Sequence, residues 1–226
     1  MTNGNDRISI QVGLSGYSFK IQADGNTSES GWMSPDRIFT TPELQKRYSR
    51  VDISVFTPKF ALVPAQFHCP ESSRQILEEV VSIDDSDVVE YVSVPEQGAV
   101  LVYSNSIGVT MPKVMSESVL MSDGSKARPL PEMFYMLEDM TAIPDYNRIM
   151  ASYMDGVLYL LIAQGKTLLL ANSFQAPDFT TAEYFLFLAL KKLQLNPEVS
   201  TIYFRTSLEA DQEISLYRYF RNVEQI

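Results

Sequence analysis

The 226-residue chain contains one cysteine, Cys69, and one histidine, His68. A single thiol cannot close an internal disulfide, and two adjacent residues cannot supply the four ligands of a structural zinc site. No stretch approaches the roughly 20 apolar residues of a membrane-spanning helix. The opening MTNGNDRISI has no apolar segment of the secretory type. Together these absences predict a cytoplasmic protein without a membrane span. Positive charge is also scarce: 18 Lys and Arg stand against 28 Asp and Glu, giving a net charge of −10 and a pI of about 4.6. Nucleic acids and anionic membranes attract basic surfaces, so neither is expected as a partner. No convergent acid–base or nucleophile set is visible either. What is present is a 45% hydrophobic composition, enough for a substantial core. The length suits one two-lobed domain or two small ones.

Alternating apolar residues predict strands at Arg7–Val12 and Tyr17–Gln22 around the turn Gly13-Leu14-Ser15-Gly16. Asp24 to Gly31 reads as a turn-rich loop, followed by a strand near Trp32–Ile38. Thr41-Pro42-Glu43 resembles a helix start running to about Tyr48. Strands are expected at Val51–Phe56 and Phe60–Phe67, then a helix from Pro70 through Val80. Val88–Val94 and Ala99–Tyr103 read as a hairpin around Pro95–Gly98. Either of its strands could accept an added strand from a partner. A helix is expected over Leu130–Met140 and a loop over Ser122–Pro129. In the last third, Asp155-Gly156 is a strong two-residue hairpin signal between Ile149–Met154 and Val157–Ala163. Gln164-Gly165-Lys166 turns into a third strand, Thr167–Asn172. Thr180 and Glu183 have the spacing of a capping box for a very apolar helix that should be covered on most sides. Val199–Phe204 then reads as a strand, and Ser207 as the cap of a final helix.

The order of elements repeats. Meandering strands, a helix and a strand occur in both the first and last thirds of the chain. This predicts an α/β protein with a duplicated, ribonuclease-H-like fold of two mixed-sheet lobes. The lobes are expected at residues 1–145 and 146–226, with a small βαββ subdomain inserted at 57–103.

Several residues invite chemical readings. Gly165-Lys166-Thr167 imitates the end of a P-loop, but Leu160 stands where the pattern needs glycine and a strand follows instead of a helix, so a hairpin turn is expected. His68 and Cys69 suit packing at a strand end, since neighbours in an extended segment point to opposite faces. Asp84, Asp85 and Asp87 lack the spacing of a calcium loop and read as a solvated acidic turn. Trp32, with Met33 after Gly31, reads as a half-buried strand residue, the other reading being a surface anchor for a partner.

The segments RISIQVGLSGYSF and FTPKFALVPAQFHCPES, and the terminal order of hairpin, NSF and apolar helix, resemble an uncharacterised bacterial family of the actin-like ATPase superfamily. Its relatives include cell-division and pilus-assembly actin-like proteins. The resemblance implies two actin-like lobes and gives the Gly13–Gly16 turn two readings, a phosphate cradle or a plain hairpin. The first phosphate-loop positions would be Gln11, Gly13 and Ser15, with Gln11 where active relatives carry aspartate. The second loop would use Asp155 and Gly156, with Ser152 in the aspartate position. The adenosine-site glycines are replaced by Arg205-Thr206-Ser207-Leu208. Magnesium is usually held by carboxylates, which a glutamine amide and a serine hydroxyl do not provide. The resemblance therefore implies no catalytic residue and no cofactor, and a non-catalytic scaffold or adaptor that associates with a protein partner or with itself. The alternative is a protein that binds ATP with magnesium and hydrolyses it weakly or not at all. In the related proteins an inserted subdomain serves protein contacts, which makes 57–103 a candidate partner surface.

Overall fold

The computed structural model describes residues 6–105 and 110–226. The chain divides into two compact units: Met1–Ala61 with Cys69–Tyr91 and Val102–Glu132, and Leu62–His68 with Val92–Leu101 and Met133–Ile226. It begins with β1 (Arg7–Val12), β2 (Tyr17–Ala23), β3 (Asn26–Glu29) and β4 (Arg50–Val55). There follow β5 (Phe60–Pro64), α1 (Ser73–Glu78), β6 (Val89–Val94), β7 (Ala99–Ser104), α2 (Thr110–Ser118), β8 (Pro129–Pro131) and α3 (Glu132–Asp139). The last part contains β9 (Asn147–Met154), β10 (Val157–Gln164), β11 (Thr167–Gln175), α4 (Phe179–Lys192), β12 (Thr201–Phe204), α5 (Ala210–Tyr217) and β13 (Asn222–Gln225).

The first unit holds a five-stranded sheet in the order β3-β2-β1-β4-β8. β1 pairs antiparallel with β2 and parallel with β4, and β4 pairs parallel with β8. The second unit repeats this plan as β11-β10-β9-β12-β13, again three antiparallel strands followed by two parallel ones. The repeated element order thus corresponds to a duplicated mixed α/β architecture. A third sheet has the order β5-β7-β6, with α1 between β5 and β6 in the chain, which is the expected βαββ arrangement. Because β7 lies in its middle, among the described residues only β6 of the hairpin has an open edge.

Local chemistry explains these elements. β1 alternates, burying Ile8, Ile10 and Val12 on one face. β10 is a continuous apolar run, and seven of its eight residues are buried, as expected for an interior strand covered on both faces. Asp155 and Gly156 both adopt the left-handed conformation, with φ of 52° and 73°, which a tight two-residue hairpin requires.

Several expectations need correction. The turn-rich Asp24–Gly31 stretch contains β3, whose four residues are all exposed. Trp32–Ile38 is not a strand: Met33 makes a single bridge to Tyr17, and Pro35–Arg37 is a 3-10 turn. Trp32 is exposed and lies outside any strand. Pro42–Gln45 is likewise a 3-10 turn, because the Thr41 hydroxyl bonds back to the Arg37 carbonyl instead of capping a helix. The cap of α4 is Asp178, whose carboxylate accepts the Thr181 amide at 2.7 Å, so the Thr180–Glu183 box is not used. Glu209 and Gln212, not Ser207, cap α5. Cys69 is exposed at the start of a 3-10 turn, with its thiol 2.6 Å from Glu71 Oε2, and is not packed. Asp87 is buried, bonded to Lys59 Nζ at 2.6 Å and to the Ser104 hydroxyl at 2.5 Å, so it is not part of a solvated turn.

Candidate functional site

The first candidate loop lies in the first unit. Gln11 stands opposite Ser54 in the parallel register of β1 and β4. Both side chains reach Glu132, the first residue of α3, which is fully buried. Gln11 Nε2 donates to Glu132 Oε1 at 3.3 Å, and the Ser54 hydroxyl donates to Glu132 Oε2. A carboxylate in that position benefits from the positive end of the helix dipole. It still needs donors, because an unsatisfied charge in the interior is costly. Gln11 therefore serves as a donor to a buried acid. An aspartate in its place would be a second acceptor.

The turn that follows is closed by its own backbone. The Gly13 amide donates to the Gly16 carbonyl at 3.0 Å, while Leu14 and Ser15 are exposed. Gly16 is required by packing. A Cβ there would stand 2.2 Å from the Met33 carbonyl oxygen and 2.9 Å from Trp32 Nε1. That close approach comes from the paired bonds between Tyr17 and Met33, at 2.9 and 2.7 Å.

The second candidate loop lies in the second unit. Ser152 is fully buried in β9, opposite Tyr159 of β10. Asp155 is exposed on the turn, and the Gly156 carbonyl accepts the Ala176 amide at 2.7 Å. The Tyr153 amide is held by the Thr206 hydroxyl at 2.9 Å, and the Tyr153 hydroxyl donates to the Ala176 carbonyl at 2.9 Å. Where paired glycines are expected, the Arg205 amide bonds to the Ala151 carbonyl at 3.1 Å. Its mostly buried guanidinium pairs with Asp139 through Nε at 2.7 Å and lies over the Tyr135 ring at 5.6 Å. Nearby, the Tyr203 hydroxyl donates to Asp145 Oδ2 at 3.0 Å, and burial followed by this carboxylate pushes it up to about 12.

The structure thus groups Gln11, Gly13 and Ser15 in one unit and Asp155 and Gly156 in the other. Neither group fits magnesium and a nucleotide well. Magnesium needs hard anionic oxygens, but position 11 presents an amide turned toward Glu132 and position 152 a buried hydroxyl. Among the described residues, no group of three or more His, Cys, Asp or Glu is arranged to hold a metal ion. Gly165-Lys166-Thr167 forms the β10–β11 turn with Gly165 at φ 57°. Sequence reasoning did not identify Glu132, Ser54 or Asp139, and marked Thr206 only as part of the stretch that replaces the adenosine-site glycines. Their one visible signal was Glu132 directly after a proline at a helix start. The long separations, 121 residues for Gln11 and Glu132, conceal the contacts.

The fold is shared with solved structures. A Bacteroides thetaiotaomicron protein with actin-like ATPase fold and unknown function is 16% identical, with 99% of this chain and 91% of that chain covered and a TM-score of 0.71. The cytoplasmic domain of EpsL, an inner membrane component of the type II secretion system of Vibrio cholerae, is 13% identical over 91% and 84% of the two chains, with a TM-score of 0.52. A chain of the PilM–PilN type IV pilus biogenesis complex is 12% identical over 99% and 89%, also with a TM-score of 0.52. At these identities the likeness establishes the actin-like fold. No curated protein matches the chain. Among the described residues, no helix is long and apolar enough to cross a membrane. The model of a family described as protein of unknown function, DUF3822, matches residues 9–223, and the chain belongs to that family.

Proposed function

We propose that the protein is a non-catalytic actin-like scaffold or adaptor, built as lobes 1–145 and 146–226, that holds a protein partner or another copy of itself. The observation that carries this reading is the Gln11–Glu132–Ser54 network. The side chain in the place of a metal-holding aspartate is used to satisfy a buried acid of the fold. Phosphoryl transfer depends on a metal ion and fixed positive charge around the transferring group, and the phosphate-loop positions here supply neither. Arg205, in the stretch read as replacing the adenosine-site glycines, is tied up in an ion pair with Asp139. Two of the proteins that share the fold belong to multiprotein assemblies, a type II secretion system and a type IV pilus biogenesis complex, which agrees with a body whose work is contact.

A second reading, ATP binding in the presence of magnesium without useful hydrolysis, draws on the glycines retained at 13 and 156. Calorimetric titration of the purified protein with ATP, with and without magnesium, separates the two. The scaffold reading expects no saturable heat in either case. Saturable binding that requires magnesium would favour the second.

A further inference from the structure

The helical face of the second unit carries an aromatic surface that its own fold leaves open. On α4 the helical period places Tyr184 and Lys191 on the side opposite the buried residues Ala182, Leu186, Ala189 and Leu190, with half-buried Phe187 at the flank, packed against the core. The expectation that this apolar helix is covered on most sides holds from Thr181 to Leu190, where Tyr184 is the one exposed residue. Tyr184 is 61% exposed. Phe187 packs its ring against Tyr219, with centroids 4.8 Å apart, and against Phe220 at 5.9 Å. Tyr219, just beyond the end of α5, is 49% exposed. Two arginines, Arg218 and Arg221, flank the Tyr219–Phe220 pair in the chain, and both are exposed. Arg221 is fixed through its amide, which bonds to the Pro197 and Ser200 carbonyls. Among the described residues, Lys191, Arg218 and Arg221 form no side-chain hydrogen bond or ion pair. Glu198, on the turn that receives the Arg221 amide, is also unpaired.

On this chain, three cations without side-chain partners lie in the same two segments as the exposed rings of Tyr184 and Tyr219. Its net charge is −10, and −13 once these three positive charges are set aside. Tyrosine, phenylalanine and arginine are the residues enriched at the centres of protein interfaces. The charge distribution also selects the occupant. An anionic membrane is an extended plane and meets the repulsion of the whole acidic chain. A short acidic segment meets only what lies within a screening length, about 8 Å at physiological ionic strength.

We propose that the surface of Tyr184, Phe187 and Tyr219, with Lys191, Arg218 and Arg221 beside it, docks an acidic segment of a partner protein that also presents apolar side chains to the rings. The inference rests on the reading of the protein as a partner-holding body, but it concerns a surface separate from the phosphate-loop positions.

The test uses the full-length protein and an array of synthetic peptides about 15 residues long, in which Asp and Glu alternate with Leu and Phe at helical or strand spacing. Basic peptides of the same apolar pattern serve as controls. Members of the acidic set are expected to bind with a salt-dependent affinity. Tyr184→Ala and Tyr219→Ala should each weaken that binding by about tenfold, as central aromatic contacts do. Lys191→Glu with Arg221→Glu should weaken it at least as much and reduce its salt dependence. The altered side chains are largely exposed, so unchanged melting temperatures will show that the variants remain folded. The proposal is overturned if no acidic peptide binds, if binding survives these substitutions, or if phosphatidylglycerol vesicles bind the protein while the acidic peptides do not. ATP titration is unaffected by any of these outcomes, so the failure of this surface and the failure of the scaffold reading are distinguishable.

Discussion

Substituting Gln11→Asp restores the carboxylate that the phosphate-loop pattern of the actin-like ATPases calls for, and the structure predicts that it damages the fold. The wild-type amide donates to Glu132, which is fully buried and already accepts the Ser54 hydroxyl. Aspartate removes that donor, a hydrogen bond to a charged group worth about 1.5–3 kcal/mol. It also places a second negative charge near the first. At about 5 Å and an effective dielectric constant of about 20, the two repel by about 3 kcal/mol. The two effects overlap, so the expected loss is about 3–5 kcal/mol at neutral pH. Gln11→Leu, which only removes the donor, should lose about 1.5–3 kcal/mol. Urea unfolding read by far-ultraviolet circular dichroism measures both, and a melting scan should fall by about 2–4 °C per kcal/mol for a chain of this size. The reasoning is refuted if Gln11→Asp, measured in EDTA, is as stable as the wild type or more stable than Gln11→Leu.

Other outcomes follow from separate features. Gly16→Ala forces the chain away from Met33 and strains both Tyr17–Met33 bonds, so it should cost about 2–4 kcal/mol in the same assay even though the site is a surface turn. Asp178→Ala should cost about 1 kcal/mol through the loss of the α4 cap, while Thr180→Ala should cost little. Asp87 is held far below the usual carboxylate range by its hydrogen bonds to Lys59 and Ser104. A depressed folded value means that its contribution is complete above the unfolded value, about 3.9, and is lost as the pH falls below it. Asp87→Asn should therefore be less stable than wild type at neutral pH and should flatten the acid limb of a stability–pH profile.

The sequence made the second unit far more legible than the first, for physical reasons. β9, β10 and β11 are long, apolar and joined by Asp155-Gly156 and Gly165-Lys166, whose turn chemistry can be read residue by residue. β3, with the sequence NTSE, buries none of its residues and is held by backbone pairing to β2 and the Lys20–Glu29 ion pair, so no hydrophobic pattern announces it. β13 is equally short, and of its residues only Val223 is buried. α2 carries Pro112 in its first turn and a mixed Met and Ser composition, which hid its period. Residues 106–109, just before it, lie outside the described residues. At the candidate site, the two hairpins were visible because glycine marks turns. What their neighbours do was not visible: the Gln11–Glu132 bond, the Arg205–Asp139 pair and the Met33 contact at Gly16 all join residues distant in the chain.

The most direct test of the central claim is phosphate release from ATP by the purified wild type, measured with magnesium and with EDTA alongside Gly156→Val as a control for the second loop. The account predicts release indistinguishable from buffer in every case. Release by the wild type that requires magnesium and disappears in Gly156→Val would contradict it.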